Sequence, residues 1–238
     1  MLTPGHRVVV ITGAVGNLGA ATAAAFQNAG DKTVLLDRSP DRLRQTFPKL
    51  ADSPDHWLAG GVDLADGAAL ARLVADAIAR FGQIDVLVNT VGAWRGGKPM
   101  HEEDPANWDF LFEANVRTTL NSCRAVIPAM LKQGEGRIVN VASRDGLAGS
   151  AGYAAYSASK SAVIRLTEAL ADELKASDIN VNCILPGTID TPQNRAANPD
   201  GDFTKWVAPA AIAEVITFLA SDAARAIQNA AIPVYGKG

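Results

Sequence analysis

RVVVITGAVGNLG, residues 7–19, sets the apolar run Val8 to Ile11 directly ahead of a glycine-rich turn that opens into a helical stretch. A short apolar run bounded by turn residues is the pattern of a strand buried on both faces. Gly13, Gly16 and Gly19 let the backbone approach a ligand closely, and Asn17 and Leu18 lie where a helix would begin. Free N–H groups at such a start attract an anion such as a pyrophosphate. An acid, Asp37, ends the next apolar run eighteen residues beyond Gly19, which completes a dinucleotide-binding pattern. A kinase-like phosphate loop is excluded, because no Lys-Ser or Lys-Thr follows the last glycine. The charge-poor stretch Val8 to Phe26 is interrupted by those glycines and Asn17, so it reads as strand, turn and helix rather than as a membrane span or signal peptide.

Outward from this unit the pattern repeats. Apolar runs recur at 7–12, 33–37, 57–62, 84–89, 137–142, 179–185 and 231–235, with helical spacing between them at about 17–29, 66–81, 105–132, 152–176 and 209–221. Alternation of this kind implies an α/β fold: a single-domain Rossmann fold over residues 1–238, with a doubly wound, seven-stranded parallel sheet and helices on both faces. Ser39-Pro40 and Asp104-Pro105 each place a capping side chain before a proline suited to a first helical position.

The chain has 238 residues and a net charge of −3, from 22 basic and 25 acidic residues. Its scattered basic residues form no stripe for a nucleic acid or an anionic membrane. Cys123 and Cys183 form no CxxC or Cys/His cluster, so no metal is expected, and they read as buried free thiols of a cytoplasmic protein.

The second chemical stretch is VNVASRDGLAGSAGYAAYSASK, residues 139–160, a buried strand, a glycine-rich loop and a helix. Tyr156 and Lys160 are four residues apart and leave one face of a helix. An adjacent ammonium would pull the phenol's pKa down toward neutrality, making Tyr156 a general acid or base. Ser143, at the end of the preceding strand, adds a hydroxyl for the same substrate oxygen. On the cofactor side, Asp37 would accept hydrogen bonds from a ribose diol and repel a 2′-phosphate, favouring NAD(H), while Arg38 leaves NADP(H) as the second option. Asp63, followed by Leu64, is placed to bind the adenine amino group, or to cap the helix beginning near Asp66. Asn89 and Gly92 end the fourth strand, where Gly92 would let the backbone pass the cofactor ribose. Asn115, inside a helical stretch, is positioned to distort that helix and hold a relay water.

With these residues in hand, the chain from about Arg7 to Gly236 resembles the short-chain dehydrogenase/reductase superfamily. The resemblance implies that Tyr156 is the catalytic acid/base, that Lys160 binds the nicotinamide ribose and lowers the tyrosine pKa, that Ser143 positions the carbonyl and that Asn115 holds a relay water. It further implies that Pro186, Gly187, the backbone of Ile189 and Thr191 orient the nicotinamide amide, and that the assembly is a homotetramer. Asn17 stands where that family usually has its middle glycine, Thr90 and Val91 replace a common Asn-Ala, and Gln228-Asn229 replaces a frequent glycine. A narrower likeness, in residues 92–97 and 190–195 with Asp202, Phe203 and Trp206, is to quinonoid dihydropteridine reductases and would place Trp94 near a pterin. Ser143, usually lacking in that branch, argues instead for an ordinary carbonyl or alcohol substrate. Residues 188–208 read as a loop that orders over substrate. A dinucleotide sensor on the same fold would need only the cofactor half, and the full Ser, Tyr, Lys and Asn set weighs against it.

Overall fold

The apolar runs form seven strands: β1 (Val8–Thr12), β2 (Lys32–Asp37), β3 (His56–Gly60), β4 (Val86–Asn89), β5 (Gly136–Val141), β6 (Ile179–Pro186) and β7 (Ala231–Val234). All pair in parallel, in the order β3-β2-β1-β4-β5-β6-β7. The structure is a computed structural model describing residues 5–237, so the two ends of the expected span 1–238 lie outside the described residues. Between the strands run α1 (Asn17–Asn28), α2 (Pro40–Thr46), α3 (Gly67–Phe81), α4 (Pro105–Leu111), α5 (Thr118–Gln133), α6 (Ala154–Leu174), α7 (Pro192–Ala197) and α8 (Pro209–Leu219).

Successive strand residues face opposite sides of the sheet, and the core divides accordingly. Val8, Val10, Leu36 and Ile138 pack with Leu73 of α3 and Met130 of α5. Val9, Ile11, Leu35 and Val139 pack with Phe26 of α1 and Ile216 of α8. Each such side chain, fully buried, contributes about 1.5–3 kcal/mol, so both faces must be apolar and the strands show no polar alternation. Ser39 accepts from the Arg42 N–H and Asp104 from the Ala106 N–H, as their spacing predicts. Asp66 caps α3 through the Ala68 and Ala69 N–H groups, which frees Asp63 from that role.

Two stretches depart from the sequence reading. The single helix expected over 105–132 is broken by a π-helical turn, Phe112–Arg117, between α4 and α5. Asn115 turns its side chain out to the backbone of Ala93, and the hydroxyls of Thr118 and Thr119 donate to the carbonyls of Ala114 and Asn115. Polar groups displaced by the extra residue are thereby satisfied. The loop expected over 188–208 contains α7, capped by Thr191, and a short turn of 3-10 helix at Phe203–Lys205, capped by Asp202. Asn229, at φ 60°, adopts the left-handed conformation that favours glycine, and Gln228 bonds to Val181, Ala171 and Ile179.

Candidate active site

The sheet order reverses between β1 and β4, which leaves a crevice beyond their carboxyl ends. Gly13 enters it at φ 67°, and a Cβ there would lie 2.8 Å from Val91 Cγ2. At Gly19 a Cβ would lie 2.2 Å from the Gly13 carbonyl oxygen, so only glycine lets α1 pack this closely on the turn. The first N–H groups of α1, after Gly16, have no side-chain cap, and a helix start with uncapped N–H groups suits a phosphate. Beside it lies a cavity of about 460 Å³ lined by Gly13, Asp37, Arg38, Asp63 and Leu64. Asp37 Oδ1 accepts from the Ser39 N–H at 3.0 Å, which fixes the carboxylate at the cavity wall. These residues fit a dinucleotide.

Farther along the crevice are the reactive groups. Ser143 accepts from the Asp145 N–H at 3.2 Å, and its hydroxyl acts on the Tyr156 phenol, drawing its pKa down. Lys160, 5% exposed, donates from Nζ to the Val141 carbonyl at 3.0 Å. A Cβ on Gly92 would meet that Nζ at 3.0 Å and Asn115 Oδ1 at 3.1 Å, so a larger residue would press on both. Burial lowers the Lys160 pKa to about 8, against a weak opposing effect of Cys183. The phenol departs from its expected behaviour: its pKa is raised, first by burial, against the Ser143 hydrogen bond, with the Asp145 charge adding to the rise. The Lys160 amine, turned to the Val141 carbonyl, is not among the groups that shift it.

Asn115 clamps Ala93, accepting its N–H at 2.8 Å and donating to its carbonyl at 3.1 Å. Trp94, 55% exposed, stands against Tyr153 with ring centroids 5.8 Å apart. Other sequence-selected residues take different places. Asn17 is exposed and donates to Gln193 Oε1 at 2.9 Å, across from the turn to α7. The Leu18 side chain is buried in the core, leaving only its backbone toward the crevice. Asn89 is 2% exposed and donates to Asn140 and toward Cys123, so its side chain serves the core rather than the crevice. Pro186 ends β6, and the Gly187 N–H donates to Val234. The Ile189 carbonyl accepts from Asn194 Nδ2, and Thr191 caps α7. Missed from sequence were Ser39, Arg42 and Phe110 on the cavity wall and Ser159 beneath Tyr156. The Ser39 cap, which places Arg42 in the first turn of α2, carried a signal for that pair; nothing in the spacing marked Phe110.

Residues 7–202 match the sequence profile described as short chain dehydrogenase. The (2S)-[(R)-hydroxy(phenyl)methyl]succinyl-CoA dehydrogenase subunit BbsD of Thauera aromatica is 35% identical over 225 residues, 91% of this chain and 90% of that protein. The 3-oxoacyl-[acyl-carrier-protein] reductase FabG of Thermotoga maritima is 33% identical over 97% of this chain and 96% of its own. Among solved structures, levodione reductase superposes with a TM-score of 0.88 at 30% identity, covering 97% of this chain and 96% of that one. The dihydropteridine reductase likeness receives no specific support from these comparisons.

Proposed function

The chain belongs to the short-chain dehydrogenase family, an NAD(P)-dependent oxidoreductase of alcohol and carbonyl substrates, and on that premise we propose that Ser143, Tyr156 and Lys160 carry its chemistry, with Asn115 in support. The observation that carries this reading is the Ser143 hydroxyl set close enough to the Tyr156 phenol to lower its pKa, with the buried Lys160 amine one helix turn on and packed against Gly92. Ser143 would hold the substrate oxygen while Tyr156 donates its proton during reduction and takes it back during oxidation. A raised phenol pKa keeps that proton in place at neutral pH, which suits the reductive direction. A bound nicotinamide dinucleotide supplies the hydride in reduction and accepts it in oxidation. Trp94 is proposed as a wall of the substrate site, and residues 188–208 as its cover.

Asp37 favours NAD(H), since its carboxylate, held by the Ser39 N–H, would repel a 2′-phosphate. Replacing Asp37 with Ser should raise the kcat/KM ratio of NADPH to NADH at least about tenfold, about 1.4 kcal/mol; an unchanged ratio assigns the preference elsewhere. We also read the chain as one domain and a cytoplasmic homotetramer. Support comes from two buried free thiols and from Phe110, Phe112 and Leu131, which stay more than a third exposed on the α4–α5 face. Among the described residues no helix is long and apolar enough to cross a membrane.

The decisive experiment is Tyr156→Phe, assayed by NADH consumption across keto acids, keto esters and cyclic diketones. NADH affinity should stay within about twofold while turnover falls by about 10²-fold or more, the scale of a lost general acid. Near-normal turnover would remove Tyr156 from the mechanism. Tight NADH binding by the unmodified chain with no substrate consumed across the panel would favour a sensor.

A further inference from the structure

Ser159 is fully buried, and its hydroxyl makes two short hydrogen bonds. It accepts from Asn115 Nδ2 at 2.9 Å and donates to the Tyr156 backbone carbonyl at 2.8 Å. Within the same few ångströms Asn115, itself 1% exposed, grips both backbone polar groups of Ala93. One hydroxyl therefore joins the π-helical turn to the helix turn that carries Tyr156 and Lys160. The opposite side of that helix is pressed by Gly146, where a Cβ would lie 2.9 Å from the Lys160 carbonyl carbon. Gly146 follows Ser143 in the turn that ends β5, so the Ser143 side is fixed by backbone packing. The Asn115 side is fixed by Ser159.

We propose that Ser159 is a positioning residue, which holds the Tyr156 phenol in register with Ser143 and Lys160 by tying the catalytic helix to the π-helical turn through Asn115. This rests on the reading of Tyr156 as the acid/base. Ser159 need not touch substrate or cofactor. It acts through the Tyr156 backbone, and an interior serine hydroxyl ordinarily back-bonds its own helix without a second partner on another element. Here the second partner is a buried amide whose other hydrogen bonds go to Ala93, so among the described residues it is the serine that links that amide to α6. A misplacement of about 1 Å in a reacting group can lower turnover by up to about 100-fold, and losing one such tether should cost about tenfold.

The test uses the full chain and a readout independent of any substrate. Tyrosinate ultraviolet absorbance is titrated with pH, and the curve of Tyr156→Phe in the same background is subtracted, isolating Tyr156 from Tyr153 and Tyr235. The groups acting on this phenol are Ser143 and Asp145 from the turn after β5, while Lys160, on its own helix, turns its amine to the Val141 carbonyl. Ser159→Ala should move the difference midpoint down toward the ordinary phenol value by at least about half a unit, because a loosened phenol regains water. Turnover of the best ketone from the panel should fall about tenfold with NADH affinity within about twofold. Ser159→Cys, close in volume but a weak donor, should do the same if the alanine variant folds poorly. Ser159→Thr, retaining the hydroxyl, should restore both readouts. A midpoint and turnover unchanged in both Ser159→Ala and Ser159→Cys, even with a lowered melting temperature, would overturn the proposal and leave Ser159 a packing residue. A chain that reduces no ketone at all would instead count against the proposed function, and the midpoint would still decide the role of Ser159.

Discussion

Lys160 holds a positive charge where water cannot reach it, and its chemistry and its effect on stability therefore oppose each other. Its amine has a pKa of about 8 in the folded chain against an ordinary 10.5. Below pH 8 both folded and unfolded chains carry the proton, and the full burial penalty applies. Between about pH 8 and 10.5 the unfolded chain binds more protons than the folded one, so stability rises with pH until both are neutral and the penalty is gone. At about 1.4 kcal/mol per unit the penalty is on the order of 3 kcal/mol. Replacing Lys160 with Met should remove it, less about 1 kcal/mol for the lost hydrogen bond to the Val141 carbonyl. Denaturant midpoints should show the variant about 2 kcal/mol more stable at pH 7, with the advantage gone near pH 10.5, while turnover is abolished. A variant less stable at pH 7 would mean that the contacts of the amine outweigh its desolvation. The four-residue spacing of Tyr156 and Lys160 was legible in the sequence. The rise of the phenol pKa was not, because it depends first on how far the fold removes the phenol from water and then on the nearby Asp145 charge.

At the scale of elements, the readable parts are those whose residues bury repetitively. Strands apolar on both faces and helices such as α3 stand out because every turn repeats one demand. The π-helical turn between α4 and α5 shows only as the interior Asn115, read as a distortion of its helix; its form does not, since its cause is a clamp on Ala93, a residue that the folded sheet brings near Asn115. Helix α7 is hidden for another reason: six residues are too few for a period, and its capping residues are those of an ordinary loop. Its Gln193 accepts from Asn17 in the glycine-rich turn, which links the proposed substrate cover to the proposed pyrophosphate site. An exposed hydrogen bond is worth about 0.5–1 kcal/mol, or a factor of about two to five in rate. With the cover tied down by that bond, Gln193→Ala should release NADH two- to fivefold faster in stopped-flow displacement, on the order of that bond's worth. Asn17→Gly, the residue more usual at that place, should match it, and the double variant should add nothing further. Additive effects would show that the two side chains act separately.

Across the whole molecule the two ends of the sheet do different work. At the carboxyl ends of β1, β4 and β5 the chain leaves glycines, a cavity and a buried amine. At the amino-terminal ends it places buried charged side chains held by backbone and side-chain hydrogen bonds, with a close ion pair. Arg7, ahead of β1, forms a two-point ion pair with Asp31, ahead of β2, and donates to the Ala220 carbonyl after α8. Both side chains are nearly inaccessible, at 3% and 0% exposure. Asp85, ahead of β4, accepts the Val8 N–H and the Gln83 amide. This end ties β1, β2, β4 and α8 together on the far side of the sheet from the crevice, so stability and chemistry should separate under mutation. Arg7→Met would leave the Asp31 carboxylate buried with, among the described residues, the Gly5 and Arg7-position N–H groups as its remaining donors. Breaking such a pair costs about 3–5 kcal/mol, much of it the uncompensated charge, so adding Asp31→Asn should recover a substantial part. Urea unfolding of both variants and of the double variant measures this, and NADH titration at low temperature, where all remain folded, should give affinities within about twofold of the unmodified chain. A large change in NADH affinity would show that the amino-terminal ends set the shape of the crevice after all, through shifts carried along β1.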